Sequence, residues 1–125
     1  MNENELSAVV IGAAIEVHRA LGPGLMESVY QRCMIKELTT RGLWVESEAP
    51  VTVEYKGEVF TEAYRVDLLV NDQLVVELKV VDRLTALHKA QLLTYLRLMN
   101  RKLGLLINFN ELVVKNGIRR LINNY

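Results

Sequence analysis

Three charged residues stand inside an otherwise apolar stretch. From Tyr64 to Val81 the chain reads Tyr-Arg-Val-Asp-Leu-Leu-Val-Asn-Asp-Gln-Leu-Val-Val-Glu-Leu-Lys-Val-Val, with Asp67, Glu77 and Lys79 among Val and Leu. Charges in a buried strand are costly unless they are paired or hold a metal. Two carboxylates offer hard oxygen ligands that suit magnesium or manganese, whose remaining positions water and phosphate can fill. A lysine two residues from Glu77, on the same strand face, can orient or deprotonate an attacking water or stabilise charge on a phosphate. Such a set accounts for phosphodiester hydrolysis without a nucleophilic serine or cysteine. A buried ion pair between Lys79 and the two acids is the competing reading of the same residues.

The stretch predicts two strands, and alternation sets their register. With Asn71-Asp72-Gln73 as a three-residue turn, Val70 faces Leu74 and Asp67 faces Glu77. Val66, Leu68, Val70, Leu74, Val76, Leu78 and Val80 then share one apolar face, and Arg65, Asp67, Glu77 and Lys79 fall on the other. A two-residue turn, the commoner hairpin connection, mixes polar and apolar positions. The pattern therefore favours the odd loop, or an equivalent bulge, which also brings the carboxylates together.

Other elements must position this hairpin. A helical pattern over 5–20 buries Leu6, Val9, Val10, Ala13, Val17 and Ala20, and Leu21-Gly22-Pro23-Gly24 ends it. A second helix, about 25–40, carries Leu25, Val29, Cys33 or Met34, and Leu38 inward. Its Glu27 and Tyr30, three apart, are neighbours on one face. Strand signals follow at 43–46, 51–55 and 59–61, with a turn at Lys56-Gly57. A third helix over 85–99 has Leu87, Leu92, Leu93, Leu96 and Met99 as its apolar face and His88, Gln91 and Tyr95 as a polar stripe. Residues 102–108 read as a buried strand parallel to 74–81. Asn116-Gly117 predicts a hairpin between 112–115 and 118–122, with a short helix over 117–123 as the alternative. Strands flanked by helices predict a mixed sheet in a layered α/β fold.

Composition bounds the function. A chain of 125 residues, half hydrophobic and 24% charged, suits one domain over 1–125. No apolar run is long enough to span a membrane, and the acidic start is unlike a secretory signal, so the cytoplasm is the expected compartment. One cysteine excludes an internal disulfide and a multi-cysteine metal site. Net charge is zero, which argues against strong non-specific binding to nucleic acid. The charge is uneven: residues 1–96 hold nine Lys/Arg against fourteen Asp/Glu, whereas 97–125 hold six against Glu111 alone. That basic stretch reads either as solvated surface or as a phosphate-contacting edge beside an acidic metal site. Lone residues carry less: His18 and Glu16 read as ordinary surface or hydrogen-bonded groups, Cys33 as packing, and Trp44 as a core or interface aromatic.

Together these residues carry a resemblance. Asp67, nine residues, then Glu77-Leu78-Lys79 resembles the D-x(n)-E-x-K signature of the PD-(D/E)xK nuclease superfamily. Upstream, Gly24-Leu25-Met26-Glu27-Ser28-Val29-Tyr30 resembles GxxExxY, the naming motif of a small family within it. Likeness to that family extends over Ile15–His18, Leu21–Gly24, His88–Tyr95 and Leu105–Asn110, nearly the whole chain. The resemblance implies a restriction-endonuclease-like αβββαβ core with the hairpin at its centre, and divalent-metal nuclease chemistry with Mg2+ or Mn2+. It implies Asp67 and Glu77 as metal ligands, Lys79 as the catalytic lysine, and Glu27 as an acid reaching the metal directly or through water. Gln91, with Tyr95 a turn later, resembles a Q-x(3)-Y element that orients a water or phosphate. Tyr30, by packing or by a bond to a site carboxylate, and His88 are supporting candidates. The expected partner is nucleic acid, DNA before RNA, with a homodimer or a larger nucleic-acid-processing complex left open. A binding module with little turnover on the same scaffold is the alternative function.

Overall fold

The computed structural model describes residues 1–124. In chain order the elements are α1 (Glu3–Leu21), α2 (Glu27–Thr40), β1 (Val45–Tyr55), β2 (Glu58–Val70), β3 (Leu74–Lys79), α3 (Ala86–Met99), β4 (Leu103–Asn108), a 3-10 turn (Val114–Gly117) and β5 (Ile118–Ile122). The five strands form one mixed sheet in the order β1-β2-β3-β4-β5. Only β3 and β4 run parallel, joined through α3; the other neighbours are antiparallel. The layered α/β architecture expected of a restriction-endonuclease-like core is therefore present.

Both sheet faces are covered, which is why the central strands are apolar at nearly every position. One cluster joins Leu6, Val10, Ala13 and Val17 of α1 and Tyr30, Met34 and Leu38 of α2 to Leu68, Val70, Leu74, Val76 and Leu78. The other joins Leu92, Tyr95 and Leu96 of α3 to Ala49, Val51, Val66, Leu69, Val75 and Leu106. Capping boxes start α1 at Asn2 and α3 at Thr85.

The three-residue turn holds. Leu68 pairs with Val76, Leu69 with Val75 and Val70 with Leu74. Asn71 and Asp72 adopt left-handed conformations (φ 52° and 54°), which short polar side chains tolerate. Asn71 also binds Trp44 through both its amide and its side chain, tying the turn to the entry of β1.

Several expectations are corrected. The separate strands at 43–46 and 51–55 are one strand, β1, and the segment at 59–61 is continuous with the hairpin in β2. Val66 does not lie with the other even positions; it packs on the α3 side. The cause is Glu48 opposite Asp67, where the backbone of β1 turns left-handed (φ 53°) and the faces of both strands turn over. In α2, Tyr30, Met34 and Leu38 face the core, whereas Leu25 and Val29 are exposed, as are Ala20 in α1 and Leu87 in α3. Trp44 is exposed rather than part of the core.

Asn116-Gly117 makes neither a hairpin nor a terminal helix. It ends the 3-10 turn, and β5 pairs back on β4. Glycine is needed at 117 for close approach: a Cβ there would lie 2.7 Å from the Asn108 carbonyl oxygen and from Glu111 Cγ. The basic stretch after residue 97 is not one edge beside the acids. Arg101 pairs with Asp72 at 2.7 Å, at the turn end of the sheet. Arg120 bonds to Asn4, and Arg119 bonds to backbone carbonyls of its own segment.

Candidate active site

The hairpin pairs Asp67 and Glu77 through their side chains. Beyond Leu68 and Val76 the backbone ladder stops. The Asp67 amide donates to Glu77 Oε1 at 3.0 Å, and the Leu78 amide donates to Asp67 Oδ2 at 2.7 Å. Each carboxylate thus satisfies a backbone donor that the opened ladder leaves over. Among the described residues, Asp67 Oδ1 and Glu77 Oε2 accept no hydrogen bond. Gln31 closes the back of the site by donating to the Asp67 carbonyl at 3.2 Å.

The carboxylates crowd one another. Burial, helped by the charge of Asp67, pushes Glu77 up to about 8 from an ordinary 4.5, against the pull of the Asp67 amide and Lys79. Burial also raises Asp67, with Glu48 adding to the effect and the Leu78 amide and Lys79 opposing it. Glu27, the first residue of α2, is raised by burial and by Asp67. Asp67, Glu77 and Glu27 therefore all feel the charge of half-buried Lys79, and Glu48 adds its charge to Asp67 and Glu27. No ion pair joins Lys79 to Asp67 or Glu77 among the described residues, so the sealed ion-pair reading does not describe this hairpin.

This donor set fits a hard cation. Two partly buried carboxylates, each with an oxygen that accepts no hydrogen bond among the described residues, match the sites that complete their coordination with water and phosphate. The match is limited to those two: among the described residues no three His, Cys, Asp or Glu side chains come together as a ready metal cluster. Glu27 is within electrostatic reach of Asp67, Glu77 and Lys79 but does not close a three-carboxylate cage.

The neighbouring elements explain how the acids are held. Tyr30 is fully buried and stacks on Phe109, with ring centroids 4.4 Å apart and planes at 10°. Its hydroxyl donates to the Gly22 carbonyl at 2.5 Å and accepts from the Leu25 amide at 3.2 Å. It therefore clamps the turn that delivers Glu27 and binds no site carboxylate. Gly24 sits in that turn at φ 95°, a conformation that disfavours side chains. His88 is spent on the capping box of α3, accepting from the Thr85 amide at 3.0 Å. Gln91 is half-buried one turn before Tyr95. Tyr95 is nearly buried; burial and a hydrogen bond donated to Tyr64 raise its hydroxyl above the usual tyrosine range, with Glu77 and Asp67 adding to the shift. His18 lies apart, its Nε2 2.7 Å from the Glu111 carbonyl oxygen.

Sequence reasoning missed three participants. Glu48 joins the acids because β1 twists at that residue, and nothing in its local pattern signals this. Tyr64 packs against Tyr95 at 5.1 Å between ring centroids. Asn108, fully buried at the end of β4, pairs in register with Lys79. Its side chain accepts from Val81 N at 3.1 Å and donates to the Val81 carbonyl at 2.8 Å, fixing the chain as it leaves Lys79. A polar residue closing an all-apolar strand was the available signal for that role.

Comparison with known proteins bears on the fold and the family. No curated protein matches the chain. One solved structure, the crystal structure of SSO0001, is similar in fold, with a TM-score of 0.53 at 22% identity, covering 97% of this chain. The chain spans 58% of the length of that protein. The family model for the PD-(D/E)XK nuclease superfamily matches residues 4–121. With a family model covering nearly its whole length, the chain belongs to the PD-(D/E)XK nuclease superfamily.

Proposed function

We propose that the protein is a divalent-metal-dependent phosphodiester hydrolase acting on nucleic acid, DNA in the first place, and that it falls in the GxxExxY branch of its superfamily. The observation that carries this reading is the reciprocal Asp67–Glu77 exchange, which among the described residues leaves one oxygen of each carboxylate without a hydrogen bond and within electrostatic reach of Lys79. Asp67 and Glu77 would hold Mg2+ or Mn2+, with Glu27 acting through a water. Such an ion polarises a phosphoryl group and lowers the pKa of bound water. Lys79 orients the attacking water and offsets negative charge on the phosphate. Gln91, a turn above Tyr95 on α3, orients the water or a phosphate oxygen.

The membership of the superfamily supports a nucleic-acid substrate, and PD-(D/E)XK nucleases generally use divalent metals. The test pairs calorimetric titration with Mn2+ and a cleavage assay on single- and double-stranded DNA. Glu77→Ala should lose both metal binding and cleavage. Lys79→Ala should retain metal binding while cleavage falls by about 100-fold or more, the range for removing one charge-stabilising group. Full cleavage by both variants would overturn the proposal. Nucleic-acid binding with no cleavage under any metal would favour a binding module instead.

A further inference from the structure

The hairpin of β1 and β2 continues well past the acids. From Thr52 to Arg65 every residue is exposed except half-buried Val53. The segment is a two-stranded arm beyond the rest of the sheet, and such a ribbon is marginal by itself. Its strand pairing places the aromatic residues on one side. Val51 pairs with Tyr64, Val53 with Phe60 and Tyr55 with Glu58. The register shifts between Val51 and Val53, where Glu62 of β2 is left-handed (φ 55°), but β1 alternates unbroken through Val51, Val53 and Tyr55. Val51 belongs to the α3-side core, so Val53 and Tyr55, with Tyr64 opposite Val51 and Phe60 opposite Val53, form a stripe on that side. Tyr64 is 52% exposed, Phe60 44% and Tyr55 63%. The stripe begins beside the active site, because Tyr64 stands three residues before Asp67 on β2 and packs on Tyr95 of α3.

We propose that this aromatic stripe stacks the bases of single-stranded nucleic acid and leads the strand to the carboxylates, with Tyr64 as the platform nearest the scissile phosphate. This names the substrate class of the hydrolase proposed above and rests on that reading. Charge decides between occupants. Over residues 52–65 the arm carries Lys56 and Arg65 against Glu54, Glu58 and Glu62, and Arg65 is paired with Glu62 at 3.7 Å. An arm with that balance does not track the phosphates of a duplex, but its rings offer π-faces to unpaired bases of any sequence. Lys56, 5.4 Å from the centroid of the Tyr55 ring, leaves a cation at the distal end of the stripe.

The test is fluorescence anisotropy on the whole chain in chelator, so that binding is read apart from cleavage. The probes are a labelled oligothymidylate, an abasic strand of equal length and a duplex of equal length. The oligothymidylate should bind tightest. Tyr64→Ala should weaken it by roughly 5- to 150-fold, the range for losing one stacked base, and leave the abasic strand unchanged. Tyr64→Phe should bind as the wild type does. Phe60→Ala, further along the arm and away from Tyr95, should repeat the base-dependent loss. Equal affinity for thymidylate and abasic strands would overturn the proposal, as would no binding or an equal loss on both strands in Tyr64→Ala. A wild-type dimer in sedimentation that Tyr64→Ala dissociates, without base-dependent binding, would assign the stripe to a second copy of the chain. Base-dependent binding without metal-dependent cleavage would sink the hydrolase reading and leave the stacking platform standing.

Discussion

Glu77 combines two demands that pull against each other. Its carboxylate is buried and beside Asp67, and both effects favour the protonated acid, up to about 8. Its proposed task needs the ionised form. In the metal-free protein the folded state holds a proton that the unfolded chain has released between about pH 4.5 and about 8. Unfolding free energy must therefore fall as pH rises through that window, by at most roughly 1.4 kcal/mol per pH unit. Urea unfolding in chelator at several pH values should show this decline, and Glu77→Gln should flatten it. Saturating Mn2+ should restore stability at the alkaline end, because a cation favours the carboxylate. A wild-type slope equal to that of Glu77→Gln would show that Glu77 ionises normally in the folded protein.

At the scale of elements, the acids are placed by features that differ in how readily sequence exposes them. The turn length of the central hairpin was legible because both faces of β2 and β3 are buried, so a slip of one residue would bury charge or expose apolar side chains. The ladder ends at Leu68 and Val76, however, so Asp67 and Glu77 meet through side-chain bonds to backbone amides and not as a backbone pair. Val66 was not legible, because its face is set by a left-handed glutamate on the neighbouring strand and not by any glycine or asparagine. The spacing of Glu27 and Tyr30 marked one helical face but could not say that the tyrosine folds back over the preceding turn. Removing that hydroxyl tests the motif as structure. In Tyr30→Phe the Gly22 carbonyl and Leu25 amide lose their partner, which should cost about 1–3 kcal/mol in chemical denaturation. Mn2+ affinity should also weaken, since the turn that delivers Glu27 loosens. Unchanged stability would show that the clamp is unimportant. Reduced stability with full metal affinity would separate the turn from the site.

At the scale of the molecule, zero net charge concealed where the cations go. A basic C-terminal stretch was visible in the sequence, but only the fold reveals that it does not gather beside Asp67 and Glu77. Arg101 is held by Asp72 at the opposite end of β3, and Arg119 and Arg120 are engaged by backbone and Asn4. Among the described residues, half-buried Lys79 is the cation whose charge acts on Asp67, Glu77 and Glu27. A surface arranged this way can neutralise few phosphates, so little counterion release should accompany binding. The observed binding constant should fall with salt at a log–log slope no steeper than about −2 for a single strand, corresponding to roughly three phosphates or fewer. Anisotropy titrations of the wild-type chain between 50 and 200 mM salt would measure it. A shallow slope with base-dependent affinity is what contact through rings requires. A slope several-fold steeper would mean that cations from elsewhere, such as a second copy brought alongside, form a phosphate track that one chain does not contain.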